Sequence, residues 1–255
     1  MAIKERRTKI LLSLMLLSDT NFTYVSFDHT LEKAFDLAFN QKTNGTISGL
    51  IREKLIEKQE MGANSHNYKL TEQGFYTLCL IFPFFRFLRD TWDAKWRVLS
   101  YEIPEKKREI RDRLRREVSG WGLGPWHRSF WITPHPIIQN LRQLINQKEE
   151  EKYIQAFESM HVLGDPGILI EKVWQKTKLE NKYRELFKIW HDILSLPSQN
   201  PGDNGSKTVK FAKVVSEYVE VLKFDPGLPK DLLGSNWIGF EAFNIFKEIR
   251  SILLS

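Results

Sequence analysis

Trp96-Arg97-Val98-Leu99-Ser100-Tyr101-Glu102-Ile103-Pro104 reads as a strand running into a helix, and the architecture of the central part of the chain turns on it. Its β-branched and aromatic residues favour an extended strand, and Pro104 ends it while suiting the first turn of a helix. A helix is expected over Glu105 to Val118, where Ile110, Leu114 and Val118 recur every four residues beneath a charged outer face. Gly120, Gly122 and Gly124 break it. A second β-prone run, His127 to Thr133, closes at Pro134 and Pro136, and the order to that point is strand, helix, short strand, strand. Ile137, Ile138, Leu141, Leu144 and Ile145 predict another helix, and Tyr153 to Val162 a last strand. The order β-α-β-β-α-β is that of a ferredoxin-like domain. Within it, the run Lys148 to Lys152 reads as a solvated loop.

Toward the N-terminus, Ile10, Leu11, Leu14, Met15 and Leu17 lie at helical spacing behind the basic group Lys4, Arg6, Arg7 and Lys9. Leu31 to Phe39 is a second helical pattern with Asp28 or Thr30 as its cap. Asn44-Gly45-Thr46 then opens a third helix, with Ile47, Leu50 and Ile51 inward and Gly45, Ser48, Gly49 and Arg52 outward. Two short strands, Ile56 to Met61 and Asn67 to Leu70, flank the polar loop Gly62 to His66, and Thr71 caps the next helix. Three helices and a two-stranded wing predict a winged-helix domain over residues 1–74. In such a module the third helix lies in a major groove and the loop meets the backbone or minor groove. The candidate DNA contacts are Asn44, Thr46, Ser48 and Arg52 on the helix, with His66 and Lys69 near the wing. Arg52 is the expected bidentate partner of a guanine, and Lys69 a phosphate contact. A module kept only for protein contact is the alternative use of the same stretch.

Residues 75–94 carry Phe75, Tyr76, Phe82, Phe84, Phe85, Phe87 and Trp92, with Pro83 inside, and predict a connecting helix kinked or restarted at that proline. The ferredoxin-like domain occupies 95–163, and 164–255 is expected to be an all-helical C-terminal domain. Its helical patterns run through Leu169, Val173 and Trp174, through Tyr183, Leu186, Phe187 and Trp190, over Lys207 to Lys223, and over Ile238 to Leu254. Pro197 to Ser206 reads as a loop. The fold class is therefore α+β multidomain.

Three separated blocks carry a resemblance. The pattern around Trp96 to Pro104, the helix with Arg108, Arg111 and Leu114, and Trp131-Ile132-Thr133-Pro134 resemble the central domain of the phenylacetic-acid-degradation repressor (PaaX) family, itself similar to the small ferredoxin-like CRISPR adaptation nuclease. Phe224-Asp225-Pro226-Gly227-Leu228-Pro229-Lys230-Asp231-Leu232-Leu233 with Trp237 resembles the family's C-terminal signature. Leu70-Thr71-Glu72-Gln73-Gly74 sits where its winged helix ends. The resemblance implies a dimeric repressor of double-stranded DNA, released by an acyl-CoA-type effector such as an aryl-CoA thioester. It also implies a recognition helix more basic than this one, since Gly49 stands where the family typically has an arginine.

Composition narrows the classes. With 255 residues and 42% hydrophobic content, the chain can bury more than one core. No run reaches the roughly 18 apolar residues of a membrane span, and a cytoplasmic protein with no membrane contact is expected. A single cysteine, Cys79, excludes an internal disulfide and a multi-thiolate metal site. The net charge of +6 is spread as a small cationic excess over each third of the chain, so DNA affinity would depend on folded placement and on doubling in a homodimer.

Candidate chemistry is sparse. Glu102 stands where the resemblance places a metal-binding acid, which would make the competing function a metal-dependent nuclease. One carboxylate is a poor magnesium site, and Pro104 replaces a loop of further ligands, so no catalytic residue, metal or cofactor is assigned. Lys106 to Arg116 interleaves with Glu105, Glu109, Asp112 and Glu117 and reads as a locally paired, solvated helix face. His127, His135, His161 and His191 lack metal-ligand spacing. Trp174, Tyr183, Phe187, Trp190, Trp237 and Phe240, with Lys176, Lys182 and Arg184, offer rings and cations for an effector but sit at the spacing of core packing. The operator, the effector and its pocket, and the pathway are not encoded legibly.

Overall fold

The computed structural model describes residues 5–62, 65–196 and 204–254. The chain forms two compact units, one from Met1–Leu78, Lys182–Leu222 and Ile238–Ser255, the other from Cys79–Asn181 and Lys223–Trp237. Residues 164–255 thus contribute to both.

In the first unit, α1 (Arg6–Leu17) is buried without a break from Thr8 to Leu16, so it is covered nearly all round instead of along one stripe. Its polar members find partners inside. Ser13 donates to the carbonyl of Ile10 at 2.8 Å, and the buried ammonium of Lys9 donates to the Asp36 carboxylate at 2.8 Å and to the Asp36 carbonyl at 2.6 Å. A two-residue strand, β1 (Val25–Ser26), precedes α2 (His29–Phe35), whose N-cap is Asp28, accepting from the Leu31 N–H at 3.0 Å. The third helix, α3 (Gln41–Arg52), begins earlier than Asn44-Gly45-Thr46. The physical reason is Asn40, whose carboxamide oxygen accepts from the N–H groups of Lys42 and Thr43 and so caps the helix upstream.

Strands β2 (Ile56–Gly62) and β3 (Ser65–Leu70) pair antiparallel, and β1 adds to the far side of β3, giving the order β1-β3-β2. Of the expected polar loop, Ser65 and His66 belong to β3, and Ala63 and Asn64 lie outside the described residues. Thr71 caps α4 (Glu72–Cys79) by accepting from the Gly74 N–H at 3.0 Å. Of the two expected forms of the aromatic stretch, the restart occurs: after α4 it re-forms at the proline as a 3-10 segment over Pro83–Leu88, because proline cannot donate to the preceding turn.

The second unit holds β4 (Lys95–Tyr101), α5 (Arg108–Gly120), β5 (Gly124–His127), β6 (Phe130–Thr133), α6 (Ile138–Ile145) and β7 (Ile154–Met160). The sheet order β5-β6-β4-β7, all antiparallel, is what the β-α-β-β-α-β sequence produces when each βαβ crossover skips a strand. Leu99, Tyr101 and Trp131 on one face of the sheet pack with Leu114 and Val118 of α5 and Leu141 of α6. Trp96 and Ile132 on the other face meet Val173 of α7 (Pro166–Trp174). The charged run before β7 is not a solvated loop. It forms a 3-10 turn, Glu149–Tyr153, in which Glu150 is buried against Arg113, while Glu149 and the Tyr153 hydroxyl hold Lys107. Charges of α5 therefore pair partly within the helix, as Arg108 does with Asp112 at 3.4 Å, and partly outside it, as Arg111 does with Glu105 just before the helix at 2.6 Å and Arg113 with Glu150 of this turn.

The remaining helices are α8 (Lys176–Ser195), α9 (Asn204–Leu222), α10 (Lys230–Leu233) and α11 (Ile238–Leu254). Residues 197–203 of the expected loop lie outside the described residues, while Asn204, Gly205 and Ser206 start α9. In the first unit Trp190, Tyr218 and Phe246 cluster with ring centroids 5.0–6.3 Å apart, and the Trp190 indole donates to the Val214 carbonyl. Tyr183 and Trp190 are buried in the core, and in the second unit so is Trp237, with Lys176 over its ring. Among the described residues, no helix is long and apolar enough to cross a membrane.

Candidate nucleic-acid interface

The outer face of α3 is set by what its inner face buries. Thr43, Ile47 and Leu50 point into the unit at helical spacing, which leaves Gln41, Asn44, Gly45, Ser48 and Arg52 on the opposite side. A Cβ added at Gly45 or Gly49 would meet nothing within 4 Å, so this face is open and shallow enough for close backbone approach. Arg52 is exposed in the last turn and forms no ion pair among the described residues. Its neighbour Glu53 is taken by Arg7, through two contacts of 2.9 and 2.6 Å. The Arg7 hydrogen bond holds the Glu53 carboxyl below the usual range, which fixes the end of α3 to α1 and leaves Arg52 free to turn outward.

The other candidates are placed differently. Thr46 lies toward the flank, and its hydroxyl donates back to the Lys42 carbonyl at 2.9 Å. Lys69 pairs with Glu57 across the hairpin at 2.9 Å and lies 5.0 Å over the Tyr24 ring. The hydrogen bond to Glu57 raises the Lys69 pKa above its ordinary value. His66 is half-buried, opposite Glu60, and its Nδ1 has no hydrogen-bond partner among the described residues. The structure thus brings Asn44, Ser48 and Arg52 onto one face and holds Thr46, His66 and Lys69 off it. Lys42, exposed in the first turn of α3, escapes a reading that starts the helix after it. The signal is present in Asn40, a good N-cap preceding a run without proline.

A second constellation lies in the other unit. Buried Asp225 accepts from the Gly227 N–H at 2.8 Å, and the Pro226 carbonyl accepts from Nε2 of buried His135 at 2.8 Å. Gly227, at φ +67, presses against the Pro83 backbone, where a Cβ would lie 2.1 Å from the carbonyl oxygen. The start of the segment that resembles a C-terminal signature is therefore a docking turn, in which Asp225, Pro226 and Gly227 each have a contact.

Residues 89–167 match the family described as the PaaX protein central Cas2-like domain, and residues 174–255 match the PaaX-like protein C-terminal domain. The chain belongs to the PaaX-like family. The two matches span the greater part of this PaaX-like chain, including both the sheet and the docking turn. No protein with a curated description matches it. A solved structure, the uncharacterized protein Rv0674 from Mycobacterium tuberculosis, is 15% identical and aligns over 96% of this chain and 94% of that one with a TM-score of 0.52, a likeness of fold.

In the Cas2-like part of the PaaX-like chain, Glu102 is exposed just past β4, with its N–H donating to the Tyr153 carbonyl at 3.0 Å. Among the described residues, no group of three or more His, Cys, Asp or Glu is arranged to hold a metal ion. Cys79 is buried, and burial pushes its thiol pKa well up, away from nucleophilic use.

His135 gives a pH prediction. Burial first, and then the charge of Arg86, lowers its pKa to about 3, against the partly opposing hydrogen bond to Pro226. It is neutral when folded, with Nε2 protonated. An unfolded histidine takes up a proton near pH 6.5, so this group's contribution is complete above that pH and falls as pH drops toward the folded value. Between pH 7 and pH 5 it should remove about 2 kcal/mol of stability. Urea unfolding at the two pH values should show this loss, and His135→Gln, which can still donate to Pro226, should lack it.

Proposed function

We propose that this PaaX-like protein is a DNA-binding transcriptional regulator whose first 78 residues act as a winged helix, with α3 as the reading helix and the β2–β3 hairpin as the wing. The observation that carries this reading is the α3 face, where Gln41, Asn44, Ser48 and Arg52 stand exposed around an open Gly45. Recognition helices of this kind contact base edges mainly from their N-terminal residues. Gln41 and Asn44 supply amides suited to adenine, and Arg52 a fork suited to guanine O6 and N7. Lys42 takes a phosphate. Lys69 reaches one only by giving up Glu57. Family membership supports a regulator, and with it the further proposals of a homodimer on a two-fold operator and of release by an acid-derived, acyl-CoA-type effector.

Titration of duplex DNA at several salt concentrations tests the reading. Affinity should fall linearly in log–log form, with a slope of about −0.9 per phosphate contacted. Arg52→Ala should weaken specific binding by about 1–3 kcal/mol and relax preference at one base position. Lys42→Ala should weaken all sequences alike and reduce the slope by about one unit, and Lys69→Ala should do less. Unchanged affinity and slope in both Arg52→Ala and Lys42→Ala would make the module one for protein contact.

A further inference from the structure

Arg250, on α11, reaches across the first unit to the C-terminal end of α1. Its Nη1 donates to the Leu16 carbonyl at 2.9 Å and to the Ser18 carbonyl at 2.7 Å. These two bonds use both hydrogens of Nη1. The guanidinium has five N–H donors, so the edge formed by Nε and Nη2, the one that matches a carboxylate with two parallel bonds, keeps three. Among the described residues Arg250 donates to no other acceptor and forms no ion pair.

Arg250 lines a cavity of about 670 Å³. On one side are the end of α1, β1 and the start of α2; on the other are α9 and α11. Leu31, Phe211 and Leu253, all buried residues, give it an apolar wall, and Ser26, Lys207 and Thr208 stand with Arg250 on its polar side. Asp28 also lines it, but its carboxylate already accepts from the Leu31 N–H as the cap of α2. The volume is that of a small-molecule site, which is ordinarily apolar with a few fixed polar groups. Burial lowers the Arg250 pKa, only partly offset by Asp19, so the site bears a half-buried cation that an incoming anion would stabilise.

We infer that this cavity binds a small organic anion, with its acidic group on the Nε/Nη2 edge of Arg250 and a ring or short hydrocarbon body against Leu31, Phe211 and Leu253. The inference concerns binding alone and stands whether or not α3 reads DNA. A sulfonate or phosphate head meets the same donors as a carboxylate, so an anionic fluorophore is a fair probe.

The test uses the full chain and two dyes that share their rings. 8-Anilinonaphthalene-1-sulfonate carries the anion, and N-phenyl-1-naphthylamine lacks it. The sulfonate should bind the folded protein saturably and more tightly than the amine. Arg250→Gln should weaken the sulfonate at least about tenfold, as expected for loss of a charge-assisted pair, and leave the amine nearly unchanged. Arg250→Lys should fall between, keeping the charge without the fork. Arg250→Gln also loses a cap on α1, so Ser251→Trp, which fills the mouth and leaves Arg250 in place, is the second variant; it should abolish binding of both dyes with the thermal midpoint preserved. No saturable sulfonate binding, an amine bound as tightly as the sulfonate, or full sulfonate binding in Arg250→Gln or Ser251→Trp would each overturn the inference.

Discussion

Replacing Arg97 by methionine should destabilise the second unit by about 2–4 kcal/mol, although methionine restores most of the side-chain volume. Arg97 sits in the central strand β4 and is almost fully buried, yet each of its three guanidinium nitrogens donates. It donates to Asp93 at 2.8 Å, to Glu158 on the neighbouring strand at 3.1 Å, and to the carbonyls of Lys95 and Pro134 at 3.2 and 3.0 Å. Burial alone would lower its pKa, but Asp93 and Glu158 together outweigh that and raise it. The cost of the substitution does not come chiefly from stranded carboxylates. Asp93 and Glu158 remain nearly half-exposed and can hydrate. It comes from the buried Pro134 carbonyl, which loses its donor, and from the charge-assisted bonds that tie β4 to β7. Arg97→Lys should recover only part, since a point charge cannot satisfy four acceptors in a plane. Chemical unfolding should show a lower midpoint with an unchanged slope. A loss under about 1 kcal/mol would mean that the strand tolerates an open Pro134 carbonyl.

The second large effect is expected at Gly227. An alanine Cβ there would lie 2.1 Å from the Pro83 carbonyl oxygen and 2.3 Å from its carbon, both backbone atoms, and the residue sits at φ +67. Neither neighbour can rotate away. The strained backbone and the forced displacement together should cost about 2–5 kcal/mol. Gly120→Ala in the same unit provides the comparison, because its nearest neighbour would be the Leu80 carbonyl oxygen at 3.9 Å and it closes a helix. That change should be neutral or stabilising by up to about 1 kcal/mol. Parallel thermal melts decide the matter. Equal midpoints for the two variants would show that the 225–228 turn can move off Pro83 at little cost.

Much of the architecture is legible in the residues themselves. The strand at Trp96, the α5 stripe and the closing helix Ile238–Leu254 are local patterns, and each appears where periodicity and proline put it. The docking turn can be recognised by its residue types but not explained by them. Only the packed chain shows that Gly227 is glycine because Pro83 lies against it, and that His135 is neutral because it is buried beneath Pro226. The outer face of α3 divides in the same way. The apolar spacing of Ile47 and Leu50 assigns Asn44, Ser48 and Arg52 to the outside of α3 from sequence alone. Whether a given cation is available depends on partners elsewhere in the chain, as with Lys69 on Glu57 and Arg7 on Glu53.

The order and type of the elements are set by the residues alone, since propensity, periodicity and punctuation act over a few residues and need no partner. Which charges are spent and which cavities remain is settled only when the chain packs. Glu150 shows this most plainly: within its acidic run it looks solvated, and it is buried because Arg113 of α5 comes across to it. Arg250 shows the converse. Its sequence neighbours mark it as one cation on an amphipathic helix, and only the fold carries it to two backbone carbonyls at the end of α1 while leaving one edge without an acceptor among the described residues. Helix periodicity is a local property. Charge compensation and close approach are pairwise over long sequence separations, and a linear pattern carries no record of them.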